Sequence, residues 1–200
     1  GRYDDILMAL FVTVLLLSNL LSSGKIIDLG ISLGSVALIF DAGTLVFPIA
    51  YIFGDVLTEV YGYARARRVI WVGFGATLLM GGFVWLAGVL PGEAQWQGYA
   101  GQGAYDAILG GISGLIVASL IAYWLGEFSN SYVLARMKIA TGGRWLWSRT
   151  IGSTLIGQGV DTTAFFIVAT LLGVFPPSLL VSLIVTNSIF KVTTEVFFTP

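Results

Sequence analysis

Asp55 and Glu59, one helical turn apart, close an apolar run, and Lys191 and Glu195 close the last apolar run of the chain at the same spacing. Asp161 lies inside another such run, flanked by Gln158 and Thr162, while Asn19 interrupts the first run and Asn187 lies in the same last run as Lys191. Acids, amides and a lysine can do two kinds of chemistry. They can pass protons between paired carboxylates, or hold a polar ligand through charge and hydrogen bonds. The chain has no histidine and no cysteine, which removes imidazole bases, thiolate nucleophiles, disulfides and the commonest zinc ligands. Without a convincing serine nucleophile either, an enzyme built on Asp55 and Glu59 is disfavoured. No metal or cofactor is expected. The remaining chemistry is binding.

The elements that must position these groups are membrane spans. Of the 200 residues, 56% are hydrophobic and 10% charged, and the mean hydropathy is +0.90, whereas a soluble domain carries about a quarter charged residues. At about 20 apolar residues per crossing, six spans are expected, at 5–23, 43–61, 68–90, 106–125, 145–172 and 177–198. The fold class is therefore an all-α membrane protein, a six-helix bundle forming one domain over residues 1–200. No small-residue cleavage site follows the first run, so it is taken as a span and not a signal peptide. The fifth span is too long for one straight crossing, and Trp145, Trp147 and Arg149 at its start suit the interface. Arg65, Arg67 and Arg68 follow span 2, and Arg136, Lys138, Arg144 and Arg149 lie around the start of span 5, against Lys25 alone on the other side. Seven basic residues against one place these loops, and with them both termini, in the cytoplasm.

Residues 24–42 are neither a span nor an ordinary loop. A turn signal at Asp28-Leu29-Gly30 between β-favouring residues suggests a short external hairpin or cap; a shallow extension of span 1 is the alternative. In span 4, Gly110, Gly114, Ala118, Ala122 and Gly126 recur every four residues. Such a ladder lets helix backbones approach closely, either within the bundle or in a homodimer.

Depth then sorts the polar residues. Counted from the cytoplasmic end of each span, Asp55 and Lys191 both lie roughly 10 Å in, so an Asp55–Lys191 ion pair is expected, with Glu59 and Glu195 nearer the arginines. These four would be gating or structural groups. Thr154, Gln158, Asp161, Thr162 and Phe165 share one helix face, Asn187 reaches similar depth, and Asn19 lies in the outer half. The amides could serve simply as interhelical hydrogen bonds. Asp161, with no basic residue expected at its depth, is protonated, hydrated or awaiting a ligand. A carboxylate accepts two parallel N–H bonds from an amidine-like edge such as that of guanine, and the neighbouring amides both donate and accept. With no cation at that depth, a neutral base or vitamin-like molecule fits better than a phosphorylated nucleotide. Nucleic acid is not an expected partner; the lipid bilayer is.

Three segments carry a resemblance. They are 47–68 (FPIAYIFGDVLTEVYGYARARR), 157–166 (GQGVDTTAFF), and Phe190-Lys191 with the apolar stretch ending in FFTP at 197–200, to which the Ser18-Asn19 pair adds. Together they resemble the queuosine precursor transporter family over nearly the whole chain. The resemblance implies a six-helix, multi-pass importer of 7-deazaguanines such as 7-cyano-7-deazaguanine in the bacterial inner membrane, similar in its bundle to the substrate-binding subunits of energy-coupling-factor vitamin importers. It marks Asn19, Asp55, Gln158, Asp161 and Lys191 as the positions that matter. The alternative is a substrate-binding subunit of a multi-component vitamin or nucleobase importer. No Walker motif occurs here, so its motor would be another chain, and span 1 lacks an Ala-xxx-Ala pair of the kind such subunits offer a partner.

Overall fold

The computed structural model describes residues 4–46, 48–49, 63–142 and 146–198. Apolar runs without internal proline become helices, as lipid requires of any crossing segment. They are α1 (Asp4–Gly24), α2 (Tyr63–Val89), α3 (Ala94–Tyr99), α4 (Gly101–Leu109), α5 (Ile112–Ala140), α6 (Leu146–Leu171) and α7 (Leu180–Phe198). Among the described residues five stretches are long and apolar enough to cross a membrane: Asp5–Gly24, Arg67–Val89, Gly101–Ala140, Ile151–Leu171 and Pro177–Thr194. Large apolar side chains cover their outsides, Phe83 and Trp85 being 64% and 63% exposed, as expected where lipid is the solvent. The protein is an all-α, multi-pass membrane protein. The expected second span, 43–61, falls mainly outside the described residues; its first four form part of a 3-10 turn, Ala42–Val46.

Two boundaries differ from expectation. The expected fourth span, 106–125, is broken at Gly110-Gly111 and resumes as α5, which continues to Ala140. Hydropathy fades at Glu127, Asn130, Arg136 and Lys138, but the residues there still form helix, so a hydropathy boundary is not a helix boundary. The segment after α1 is a hairpin of β1 (Ile26–Leu33) and β2 (Val36–Asp41). Its turn is Gly34-Ser35 and not Asp28-Leu29-Gly30. Gly34 supplies the positive φ, 63°, that two-residue hairpin loops demand. Gly30, also left-handed at 68°, sits within β1, so the chain does not reverse there.

The chain forms two compact units, Gly1–Leu29 with Ile39–Ile116, and Gly30–Leu38 with Val117–Pro200. In the first, α2 presents a buried stripe every four residues: Val69, Gly73, Thr77 and Gly81. Leu7, Met8 and Phe11 of α1 pack on Val69, while a Cβ on Gly73 would lie 2.9 Å from Leu15 and one on Gly81 2.6 Å from Ile116. Tyr105 on α4 donates to the Val84 carbonyl (2.7 Å) and Gln102 to that of Gly88 (3.0 Å). Ahead of α3, the Glu93 carboxylate accepts from the backbone N–H groups of Gln95 and Trp96, which hold its carboxyl below the ordinary range.

The end of α1 is tied to the 3-10 turn by Asp41. This acid is 4% exposed and accepts from the Ser22 hydroxyl, the Gly43 N–H (3.1 Å) and the Thr44 hydroxyl (3.0 Å). Ser18 donates to the Gly43 carbonyl at 3.3 Å. A Cβ on Gly43 would overlap Ser22 Oγ and lie 2.5 Å from the Ser18 carbonyl oxygen, so α1 and the turn would have to separate. Gly43→Ala is expected to cost about 1–3 kcal/mol, the usual penalty for overpacking. A melting temperature in detergent equal to wild type would disprove so tight an approach.

Candidate functional site

The second unit carries the polar residues at mid-helix, and its register is set by the turn joining α6 to α7. Gly173 takes a left-handed φ of 78°; its N–H bonds the Thr170 carbonyl (3.0 Å) and the N–H of Val174 that of Ala169 (2.9 Å). This is the Schellman pattern, which ends a helix at a defined residue. Phe166 packs on Phe175 at 5.6 Å between ring centres, and Pro177–Leu179 leads into α7. Asp161 is ten residues before the last residue of α6, and Lys191 eleven after the first of α7. The two helices run back along each other, so these residues face one another.

They form an ion pair. Lys191 Nζ donates to Asp161 Oδ2 at 2.9 Å, with the lysine side chain 16% and the aspartate 35% exposed. The expectation that Asp161 has no basic residue at its depth is thus overturned. Depths were counted from the cytoplasmic ends, and the overlong fifth span left its own end undefined by about a turn. Counting from the Gly173 turn removes that error. Lys191 was expected beside Asp55; Asp55, Glu59 and the side chain of Glu195 lie outside the described residues. Asp161 occupies the middle of the span Ile151–Leu171, ten residues from each end, or roughly 15 Å.

Asp161 also touches α5. A Cβ on Gly126 would lie 2.8 Å from Asp161 Cβ and 3.1 Å from the Gly157 carbonyl oxygen, and one on Gly157 would lie 2.7 Å from Asn130 Cβ and 3.1 Å from the Gly126 carbonyl oxygen. Gly126 and Asn130, four apart on α5, therefore face Asp161 and Gly157, four apart on α6, backbone against backbone. The last member of the expected small-residue ladder is used inside the chain. Ala118 and Ala122 are also buried there, at 0% and 1% exposure.

Around the ion pair, polar atoms lack partners. Gln158 Oε1, Thr162 Oγ1 and Asn130 Oδ1 are buried and accept no hydrogen bond, as is Thr170 Oγ1 nearer the helix end. A buried polar atom left unmade costs about 1–3 kcal/mol, so such a cluster calls for a reason. Asn187, 3% exposed, donates to the Leu183 carbonyl of its own helix (2.9 Å). Of the expected binding residues, Gln158, Asp161, Thr162 and Asn187 belong to this unit, and α6 and α7 bring Asp161 to Lys191. Asn19 belongs to the first unit, 7% exposed, with its amide donating to Leu15 (2.9 Å). Asn130 was missed because hydropathy put it in a loop; its spacing of four from Gly126 was the available signal. Across the arrangement, net charge is balanced at the pair while several acceptors stand open beside it, which suits a neutral ligand rich in N–H donors.

The family described as "Putative vitamin uptake transporter" matches residues 41–200. The chain is 33% identical over 150 residues to a protein of Bacillus subtilis named "Probable queuosine precursor transporter", covering 74% of this chain and 64% of that one. It is 29% identical over 127 residues to the "Queuosine precursor transporter" of Escherichia coli, covering 64% and 53%. A Haemophilus influenzae protein named "Probable queuosine precursor transporter" is 28% identical over 127 residues, covering 64% and 50%. The chain thus spans between half and just under two thirds of the length of these relatives. No solved structure matches it.

Proposed function

Because the chain belongs to the vitamin uptake transporter family, we propose that it imports queuosine precursors, 7-deazaguanine bases such as 7-cyano-7-deazaguanine, across the bacterial inner membrane as one six-span domain. Both termini face the cytoplasm, as the basic residues suggest. The names of its relatives support the substrate class. The observation that carries the mechanism is the Asp161–Lys191 pair with open acceptors beside it.

The edge of a guanine-like base presents N–H donors next to a carbonyl acceptor. The donors turn to Asp161, and the carbonyl oxygen accepts from the Lys191 ammonium. The ligand thus exchanges into the pair without stranding either charge in the membrane, where a lone ion is costly. A neutral pair also matches a neutral base better than a phosphorylated nucleotide. Gln158, Thr162 and Asn187 line the exocyclic groups. Asp55, Glu59 and Glu195 serve as gating residues, and Gly110 and Gly114 remain for a homodimer contact.

A binding titration of the purified protein tests this. Wild type is expected to bind 7-cyano-7-deazaguanine, Asp161→Asn to bind it roughly a hundredfold more weakly through loss of charge-assisted bonds, and Asp55→Asn to retain binding while uptake into vesicles falls. Equal binding by wild type and Asp161→Asn would move the site elsewhere; lost binding with Asp55→Asn would exchange the two roles. Uptake by this chain alone in vesicles excludes dependence on a separate motor.

A further inference from the structure

We propose that Asn130 is a specificity residue of this site, accepting an N–H bond from the exocyclic amino group of the bound base. This rests on the deazaguanine reading above and adds a residue to it.

Asn130 Oδ1 is buried and unpartnered, and the residue sits one helical turn from Gly126, on the α5 face that meets Asp161 and Gly157. Its Cβ stands where a side chain at position 157 would be, which only glycine permits. Along α6 the neighbours Gln158, Asp161 and Thr162 all lie within roughly 8 Å of rise from Gly157. Three of these four polar side chains, Asn130, Gln158 and Thr162, carry an unsatisfied buried oxygen. A carboxamide that did no more than join helices would have a partner in the other helix; Asn130 has none among the described residues.

The count of donors says what it is for. The amidine-like edge of a guanine-type base carries three N–H groups, one on the ring and two on the amino nitrogen. With the ligand exchanged into the pair, the Asp161 carboxylate takes one N–H from the ring and one from the amino group in the usual bidentate way. The second amino N–H needs a further acceptor, and Asn130 Oδ1 stands open on the opposite helix. It is closed off from solvent in this conformation.

The test compares 7-deazaguanine with 7-deazahypoxanthine, which lacks the amino group, as ligands for the purified protein. Wild type is expected to prefer 7-deazaguanine about tenfold or more, the value of one or more buried hydrogen bonds. Asn130→Leu, similar in size and apolar, removes an orphaned polar atom, so its melting temperature should hold or rise while the preference narrows severalfold; Asn130→Ala should narrow it equally. A wild type that binds neither base refutes the deazaguanine reading, and this inference falls with it. A wild type that discriminates, with variants that discriminate equally, refutes the role of Asn130 alone. So do variants that cannot be recovered folded, which would make Asn130 a packing residue.

Discussion

Lys191→Met is expected to abolish binding and uptake and to destabilise the protein by about 3 kcal/mol, the lower end of the cost of stranding one member of a buried ion pair. The lower end applies because the Asp161 side chain is 35% exposed. The informative comparison is the double variant. With Asp161→Asn added, neither charge of this pair is left facing a vanished partner, and apolar or neutral replacements of both partners of a buried pair are often tolerated. Stability should therefore return close to wild type while binding stays absent. Melting curves in detergent and a ligand titration on the three proteins separate the outcomes. A Lys191→Met protein as stable as wild type would mean that Asp161 does not depend on Lys191, and a double variant that still binds would remove the pair from the site.

Gly157→Leu is expected to prevent accumulation of folded protein, and Gly157→Ala to lower its stability by about 1–3 kcal/mol. The first atom of any side chain there would come 2.7 Å from Asn130 Cβ and 3.1 Å from the Gly126 carbonyl oxygen. The second contact is backbone, which no rotamer change can relieve. Separation of α5 from α6 would follow, and Asp161, which packs on Gly126 at the same crossing, would shift relative to Lys191. Uptake should thus fall even for the alanine variant that still folds. Folded, active Gly157→Leu at wild-type yield, measured by size-exclusion chromatography and vesicle uptake, would show that the helices do not approach this closely.

Much of the architecture could be read from composition and spacing. Apolar runs located the spans among the described residues, the β-favouring segment after α1 is a hairpin, and the face Thr154, Gln158, Asp161, Thr162 on α6 carries the ion pair and two of the open acceptors. What escaped depended on register. The partner of Asp161 follows from where Gly173 ends α6, and a hydropathy profile blurs such an end by a turn. The stripe of Val69, Gly73, Thr77 and Gly81 on α2 went unnoticed because threonine and valine dilute its small-residue pattern. Asp41 looked like the end of a loop, since nothing local reveals that Ser22, nineteen residues earlier, donates to it.

That contact also bears on the order in which the chain assembles. Ser18 with Gly43 and Ser22 with Asp41 close a loop of 19 to 25 residues that contains its own hairpin. Closing so short a loop costs little entropy, and local contacts of this kind form early. Everything these contacts need lies before residue 47, so the end of α1 and the 3-10 turn can lock together during synthesis, before α2 exists. Each later helix then enters the bilayer beside a finished piece of protein and not beside a lone α1.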